Sequence, residues 1–224
     1  MFSIPYLRVM SILWINIFMK IKSRLDNTEI CIEMKEGSRY GIMLSGGIDS
    51  AVLLYLLLLE CEETNITPTI TLFTIPKHDG SLTYINGIVQ YMNNRFNITL
   101  PDTITVGNPD AHHTKQSTTA YFDIKIKYPE IEYIFFGTNK IPPTTVAGLA
   151  PVRVNANTEM VIAPFFDLYK THIIDLLFQY EMEGLLKLTH TCTEQVIGRC
   201  NKCWQCGERA WAFNIMGRKD TGIN

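Results

Sequence analysis

The sequence predicts an α/β fold, a parallel sheet flanked by helices, followed by a cysteine-bearing helical tail. Three observations carry this expectation. Short apolar runs alternate with longer helical segments along most of the chain. A glycine turn, Ser45-Gly46-Gly47-Ile48-Asp49-Ser50, joins one apolar run to the first helical run. Four of the six cysteines crowd into residues 192–206.

The elements follow in order. The stretch from Val9 to Met19 is apolar between Arg8 and Lys20. It is shorter than the ~20 residues that span a bilayer. No small-residue cleavage site follows it, only Lys20, Lys22 and Arg24. It is expected to be a helix packed on the core or at a homodimer interface, with peripheral membrane contact the minor alternative. Tyr40–Leu44, Thr69–Ile75, Thr103–Val106, Glu132–Phe136 and Met160–Phe165 are short, bounded by turns and rich in Ile, Val, Thr and Phe, and each is expected to be a buried strand. Between them lie the helical segments Asp49–Glu60, Ser81–Asn93 and Lys115–Lys127. In the second, Leu82, Ile85, Val89 and Met92 recur at helical spacing. Such alternation implies a parallel sheet with helices on both faces, and ligands bind at the carboxyl ends of its strands. Ile141–Asn157 breaks the rhythm with Pro142, Pro143, Gly148 and Pro151, and is expected to be a long loop over that edge or a plain connector. Leu168, Ile173, Ile174, Leu176 and Leu177 mark a helix from about Tyr169 to Met182, with Lys170 at its start. Three regions result: a helical extension over 1–38, a nucleotide-binding domain over 39–183 and a metal-binding tail over 184–224.

Composition limits the function. The chain has 224 residues, 46% of them hydrophobic and 19% charged, enough to bury a full core. With 20 basic and 22 acidic residues the net charge is −2, which argues against a general nucleic-acid binder. From Lys187 onward six basic residues face three acidic ones, a surplus that suits a phosphate-facing lobe.

The glycine turn has the physics of an anion cradle. Two adjacent glycines let the backbone curl close to a ligand without Cβ clashes. The helix start that follows offers unpaired N–H groups and the positive end of its dipole. Ser45 and Ser50 add hydroxyls, and Asp49 can cap the helix or help hold Mg²⁺ near a triphosphate. The Walker P-loop is excluded, because it needs a Lys-Ser/Thr pair after a longer loop. The hexapeptide resembles the PP-loop, SGGxDS, of ATP pyrophosphatases. That resemblance implies cleavage of ATP between the α and β phosphates, with adenylation of a substrate oxygen.

The cysteines point to a metal. Cys31 and Cys61 are isolated in apolar surroundings and are expected to be inert core residues. Cys192, Cys200, Cys203 and Cys206 carry two overlapping C-x2-C steps and a fourth sulfur from upstream, which can close a tetrahedron. Four thiolates suit structural Zn²⁺, with an iron–sulfur cluster as the competitor. Disulfides are the third possibility, disfavoured in the reducing cytosol where an ATP-using enzyme works.

Loop and tail together resemble the 7-cyano-7-deazaguanine synthase family of the queuosine pathway, within the PP-loop superfamily. The resemblance starts at Gly41–Leu54 and resumes at Ile134-Phe-Phe-Gly-Thr-Asn139, similar to the family's strand ending in Gly-x-Asn. It is closest over Ala163-Pro-Phe-Phe-Asp-Leu-Tyr-Lys170, where the family has a lysine on the ATP phosphates. It continues through Leu188-Thr-His-Thr-Cys192 and Gly198 to Arg209, where the family binds zinc. About half the chain is covered. The family's Tyr-Gly-Gln-x-His segment is replaced by Ile75-Pro-Lys-His78, and its base-holding Asp-Cys-Arg-Pro run has only the echo Ala150-Pro-Val-Arg153.

The resemblance implies an adenine nucleotide α-hydrolase-like fold and a cytoplasmic ATP-dependent carbon–nitrogen ligase using ATP, Mg²⁺ and Zn²⁺. A carboxylate, 7-carboxy-7-deazaguanine or another, would be adenylated, and ammonia would give an amide and then a nitrile. Leu44, Ser45, Gly46, Gly47, Ile48, Asp49, Ser50 and Lys170 would bind ATP, with Asp49 and Lys170 catalytic. Gly137, Asn139 and Arg153 would meet the substrate, and Cys192, Cys200, Cys203 and Cys206 the metal. His112, His113 and His190 are expected to be structural or acceptor-contacting. No nucleic-acid partner and no stable membrane insertion is expected. The rivals are another PP-loop enzyme (an amide ligase on a different small-molecule, protein or tRNA acceptor, or a tRNA thiolase) and a non-enzymatic nucleotide sensor. Retention of Asp49 and Lys170 favours turnover over sensing. Loss of the metal is expected to unfold the tail and leave the ATP loop intact.

Overall fold

A computed structural model of the protein describes residues 19–76, 80–111, 113–143 and 158–222. Its centre is a five-stranded, all-parallel sheet built from β3 (Arg39–Met43), β4 (Thr69–Thr74), β5 (Ile104–Thr105), β6 (Tyr133–Phe136) and β7 (Val161–Ile162). The order is β5-β4-β3-β6-β7. From β3 the chain winds outward through β4 and β5, then crosses back to lay β6 on the other side of β3. Strand order therefore reverses between β3 and β6, and ligands in open α/β sheets bind at such a switch point. Every expected strand forms. The two edge strands are shortest, because Pro101 stands before β5 and Pro164 follows β7, and proline cannot donate to a ladder.

Helix α1 (Ile48–Thr64) follows the glycine turn and is buried from Ile48 to Glu60 apart from the partly exposed Asp49. A helix that is apolar all round must be covered all round. Strand β3 leads into α1 from the sheet, and α2 (Ser81–Phe96), α4 (Lys170–Gln179), α5 (Glu183–Leu186) and strand β2 (Glu29–Ile32) pack against it. Residues Ile42, Leu53, Leu56, Leu57, Ile88, Phe135, Ile173 and Leu177 belong to this main core. Helix α3 (His113–Lys127) covers a second, smaller cluster with Phe73, Ala120, Ile124 and Ile134. The C-terminal helix α6 (Trp204–Ile215) packs on α4.

Two expectations change. Residues 19–32, placed within a helical extension, instead form an antiparallel hairpin of β1 (Met19–Lys22) and β2. The reason is period-two patterning: Met19, Ile21, Ile30 and Ile32 are buried, while Lys20, Lys22, Glu29 and Cys31 face out. The hairpin is tied to α4 through Asp175, which accepts from the Ser23 hydroxyl at 3.0 Å and the Arg24 backbone N–H at 2.7 Å. The apolar stretch before Met19 lies outside the described residues. The same alternation corrects Cys31, which is an exposed residue and not a core one; Cys61 is partly buried. Burial pushes the Cys61 thiol up to about 12, which keeps it unreactive.

Candidate active site

The glycine turn leaves β3 at its carboxyl end. Gly46 has φ 74°, a conformation that L side chains rarely adopt, and it turns the chain back toward α1. Gly47 caps α1 with no side-chain hydrogen bond, so the expected capping by Asp49 does not occur. The first turn keeps its amides for a ligand. The serine hydroxyls knit the loop to itself. Ser45 and Ser50 Oγ lie 3.0 Å apart, the Ser45 N–H donates to Ser50 Oγ at 3.1 Å, and Ser50 Oγ donates to the Gly47 carbonyl at 3.2 Å. Leu44 and Ile48 turn their side chains into the core, leaving backbone as their means of meeting a ligand.

Strand β6 brings Gly137, Thr138 and Asn139 to the other side of the same opening. With Ser45, Asp49 and Ser50 they line a cavity of about 200 Å³, closed further by Ile75 and Ser117. Gly137 is there for close approach. A Cβ on it would lie 2.8 Å from the Ser50 backbone nitrogen and 2.9 Å from Ser50 Cα. Any larger residue would wedge β6 away from the start of α1.

Lys170 lies at the start of α4 but is 3% exposed, buried where a lone lysine is ordinarily solvated. Its Nζ donates to Asp49 Oδ2 and lies 3.3 Å from Glu208 Oε2. Glu208, 1% exposed, accepts from Asn139 Nδ2 at 2.9 Å through its other oxygen. Asp49, Lys170, Asn139 and Glu208 thus form one linked group drawn from α1, α4, the end of β6 and α6. Asp49 Oδ1 is buried and has no hydrogen-bond partner among the described residues. A buried carboxylate oxygen without a donor, beside free helix amides, fits a divalent cation carrying phosphates.

The four cysteines converge as expected. Their sulfurs all lie within 4.8 Å of one another, and they form the single such grouping of ligand types among the described residues. Backbone amides already point at the sulfurs. Those of Cys203 and Lys202 donate to Cys200 Sγ at 3.2 and 3.4 Å, and that of Cys200 to Cys192 Sγ at 3.4 Å. These bonds hold the Cys200 thiol at about 6, while burial pushes Cys206 up. The donor set fits a thiolate-bound metal. His190 is not part of it: its Nε2 pairs with the Gln195 carbonyl at 2.7 Å and its ring stacks on Tyr84 at 4.6 Å.

Tail and loop touch. The His190 backbone N–H donates to the Gly46 carbonyl at 2.8 Å, and Tyr84 donates from α2 to the Val196 carbonyl at 2.9 Å. Arg209, fully buried, donates to Asp220 at 2.8 and 3.1 Å and to Thr191 at 2.8 Å, closing the tail on itself. Of the residues expected at the site, Asp49, Gly137 and Asn139 line the cavity and Lys170 joins them through Asp49, while Glu208 and the His190 amide were not expected. The available signal for Glu208 was an acidic residue in a helix otherwise rich in Trp, Ala and Phe. Arg153 and His112 lie outside the described residues.

The model of the family described as "Queuosine biosynthesis protein QueC" matches residues 115–217, just under half of the chain, so the resemblance read from the sequence holds over that span. No curated protein sequence matches the chain. Among solved structures, the U34-tRNA thiolase NcsA from Methanococcus maripaludis, with its 4Fe–4S cluster, is 15% identical. The match covers 82% of this chain and 65% of that one at a TM-score of 0.42. The NAD+ synthetase from Burkholderia pseudomallei is 13% identical over 63% of this chain and 65% of its own, at 0.35. The chain therefore spans about two thirds of the length of either. No helix among the described residues is long and apolar enough to cross a membrane.

Proposed function

We propose that this chain, similar over residues 115–217 to the queuosine biosynthesis protein QueC family, is an ATP-dependent carbon–nitrogen ligase. It adenylates a carboxylate, most simply 7-carboxy-7-deazaguanine, with pyrophosphate leaving. Ammonia displaces AMP to give the amide, and a second ATP activates the amide oxygen, which departs with AMP as the nitrile forms. The observation that carries this reading is the linked group Asp49–Lys170–Glu208–Asn139 beneath the Ser45–Ser50 turn at the β3/β6 switch point. The turn's amides would receive phosphate oxygens, and Asp49 would hold the Mg²⁺ that supplies charge neutralisation to a bound triphosphate. Lys170 faces the leaving pyrophosphate. Such chemistry asks for positioning and charge neutralisation more than for a protein nucleophile, and a preformed charge partner at developing charge is worth several kcal/mol.

The four-cysteine centre holds Zn²⁺ in this account. A tetrahedral zinc with Zn–S bonds of about 2.3 Å spaces its sulfurs by about 3.8 Å. Sulfurs gathered within 4.8 Å suit one ion better than a four-iron cube, which spreads its cysteines apart. The protein is read as cytoplasmic, since free thiols at this density need a reducing compartment. The test is mass spectrometry of the products formed from ATP, ammonium and 7-carboxy-7-deazaguanine. Nitrile or amide product supports the reading, and unchanged base with ATP consumed moves the acceptor to another carboxylate.

A further inference from the structure

We propose that Glu208 is a positioning residue that holds Lys170, and with it Asn139, ready for the phosphates of a bound nucleotide, an inference that rests on the reading above. Glu208 sits in α6, two residues beyond Cys206; the cavity lining includes Asp49 and Asn139, and Lys170 and Glu208 lie behind them. It is 1% exposed, and each oxygen is committed: Oε1 accepts from Asn139 Nδ2 at 2.9 Å, and Oε2 faces Lys170 Nζ at 3.3 Å. A carboxylate buried this deeply is costly unless paired and hydrogen-bonded. The following residue, Arg209, is turned to Asp220, Thr189 and Thr191.

Lys170 has two carboxylate partners with different surroundings. Asp49 is 22% exposed on its side chain and lines the cavity, where an incoming cation competes for it. Glu208 is 1% exposed and is not part of the cavity lining. When Asp49 turns to the metal–nucleotide complex, Glu208 keeps the lysine in place. Glu208 also spans β6 and α4 through Asn139 and Lys170, so the cysteine tail fixes the lysine from behind.

The test is a double-mutant cycle read by calorimetric titration of Mg²⁺ with α,β-methylene-ATP, a nucleotide that cannot be cleaved at the α–β bond. The four chains are the wild type, Glu208→Gln, Lys170→Met and the double variant, all metal-loaded. Gln keeps the shape and an acceptor for Asn139, while Met keeps the lysine's apolar stem. Each single change is expected to weaken affinity about 10-fold, and the double variant no more than about threefold beyond Lys170→Met. Zinc content should be equal in all four. Multiplying effects, about 100-fold together, would overturn the proposal, as would wild-type affinity in Glu208→Gln. Loss of zinc from Glu208→Gln would also overturn it, making the residue part of the tail's own fold. No binding by the wild type would overturn the nucleotide reading and this proposal with it.

Discussion

Replacing Gly137 by alanine tests the geometry that builds the cleft. The new Cβ would meet the Ser50 nitrogen at 2.8 Å, Ser50 Cα at 2.9 Å and the Asp49 carbonyl carbon at 3.0 Å. Carbon atoms rest about 3.5–4.0 Å apart. All three neighbours are backbone in the first turn of α1, so no side chain can swing aside. The overlap is relieved by moving β6 and the helix start apart, by roughly 0.5–1 Å. Overpacking of this kind costs about 1–3 kcal/mol. For a chain of this size that lowers Tm by about 2–10 °C. The functional cost is of the same order, because the displaced atoms are the phosphate cradle, and misplacements near 1 Å cost on the order of 100-fold, about 2.7 kcal/mol. Differential scanning calorimetry and titration with Mg²⁺ and α,β-methylene-ATP read the two effects. A Tm within about 1 °C of wild type together with unchanged affinity would refute the contact between β6 and α1.

Two further outcomes are expected. Stripping the metal with a chelator, or Cys203→Ser, should expose the remaining thiols and also weaken nucleotide binding. The tail holds the loop at Gly46 through His190 and holds Lys170 through Glu208, and structural zinc contributes on the order of 10 kcal/mol to small sites. Full nucleotide affinity in the metal-free chain would contradict this. Glu60 is buried in α1, and burial pushes its carboxyl up to about 7 against the pull of the Met19 amide. The folded chain therefore holds this proton more tightly than the unfolded one. That stability is present in full below pH ~4.5 and is lost as pH rises through about 7. Between pH 4.5 and 8, wild type should lose up to about 3 kcal/mol more than Glu60→Gln in urea unfolding, and parallel pH curves would refute it.

The sheet was legible because its strands are short apolar runs set between helical segments, and periodicity separates the two. The glycine turn was legible as a local motif, since two adjacent glycines stand between an apolar run and a helical one. Strand order was not legible. The crossing from β5 back to β6 is a long-range choice, and it is what brings Gly137 against Ser50. The hairpin at 19–32 was misjudged because a preceding apolar stretch suggested a helix, although Met19-Lys-Ile-Lys22 already alternates. Lys170 read alone suggests a solvated residue, and its burial depends on Asp49 and Glu208 arriving from positions 121 residues before and 38 after. The contact between tail and loop was not legible either. A hydrogen bond from His190 to Gly46 joins two backbones, and no side-chain pattern reports it.

The central claim is that this cleft breaks ATP between the α and β phosphates for a carboxylate acceptor. The direct measurement is separation of the nucleotide products after incubation of the metal-loaded chain with ATP, Mg²⁺, ammonium and 7-carboxy-7-deazaguanine. The account predicts AMP and pyrophosphate appearing together with the amide or nitrile. ADP and free phosphate as the main products would contradict it.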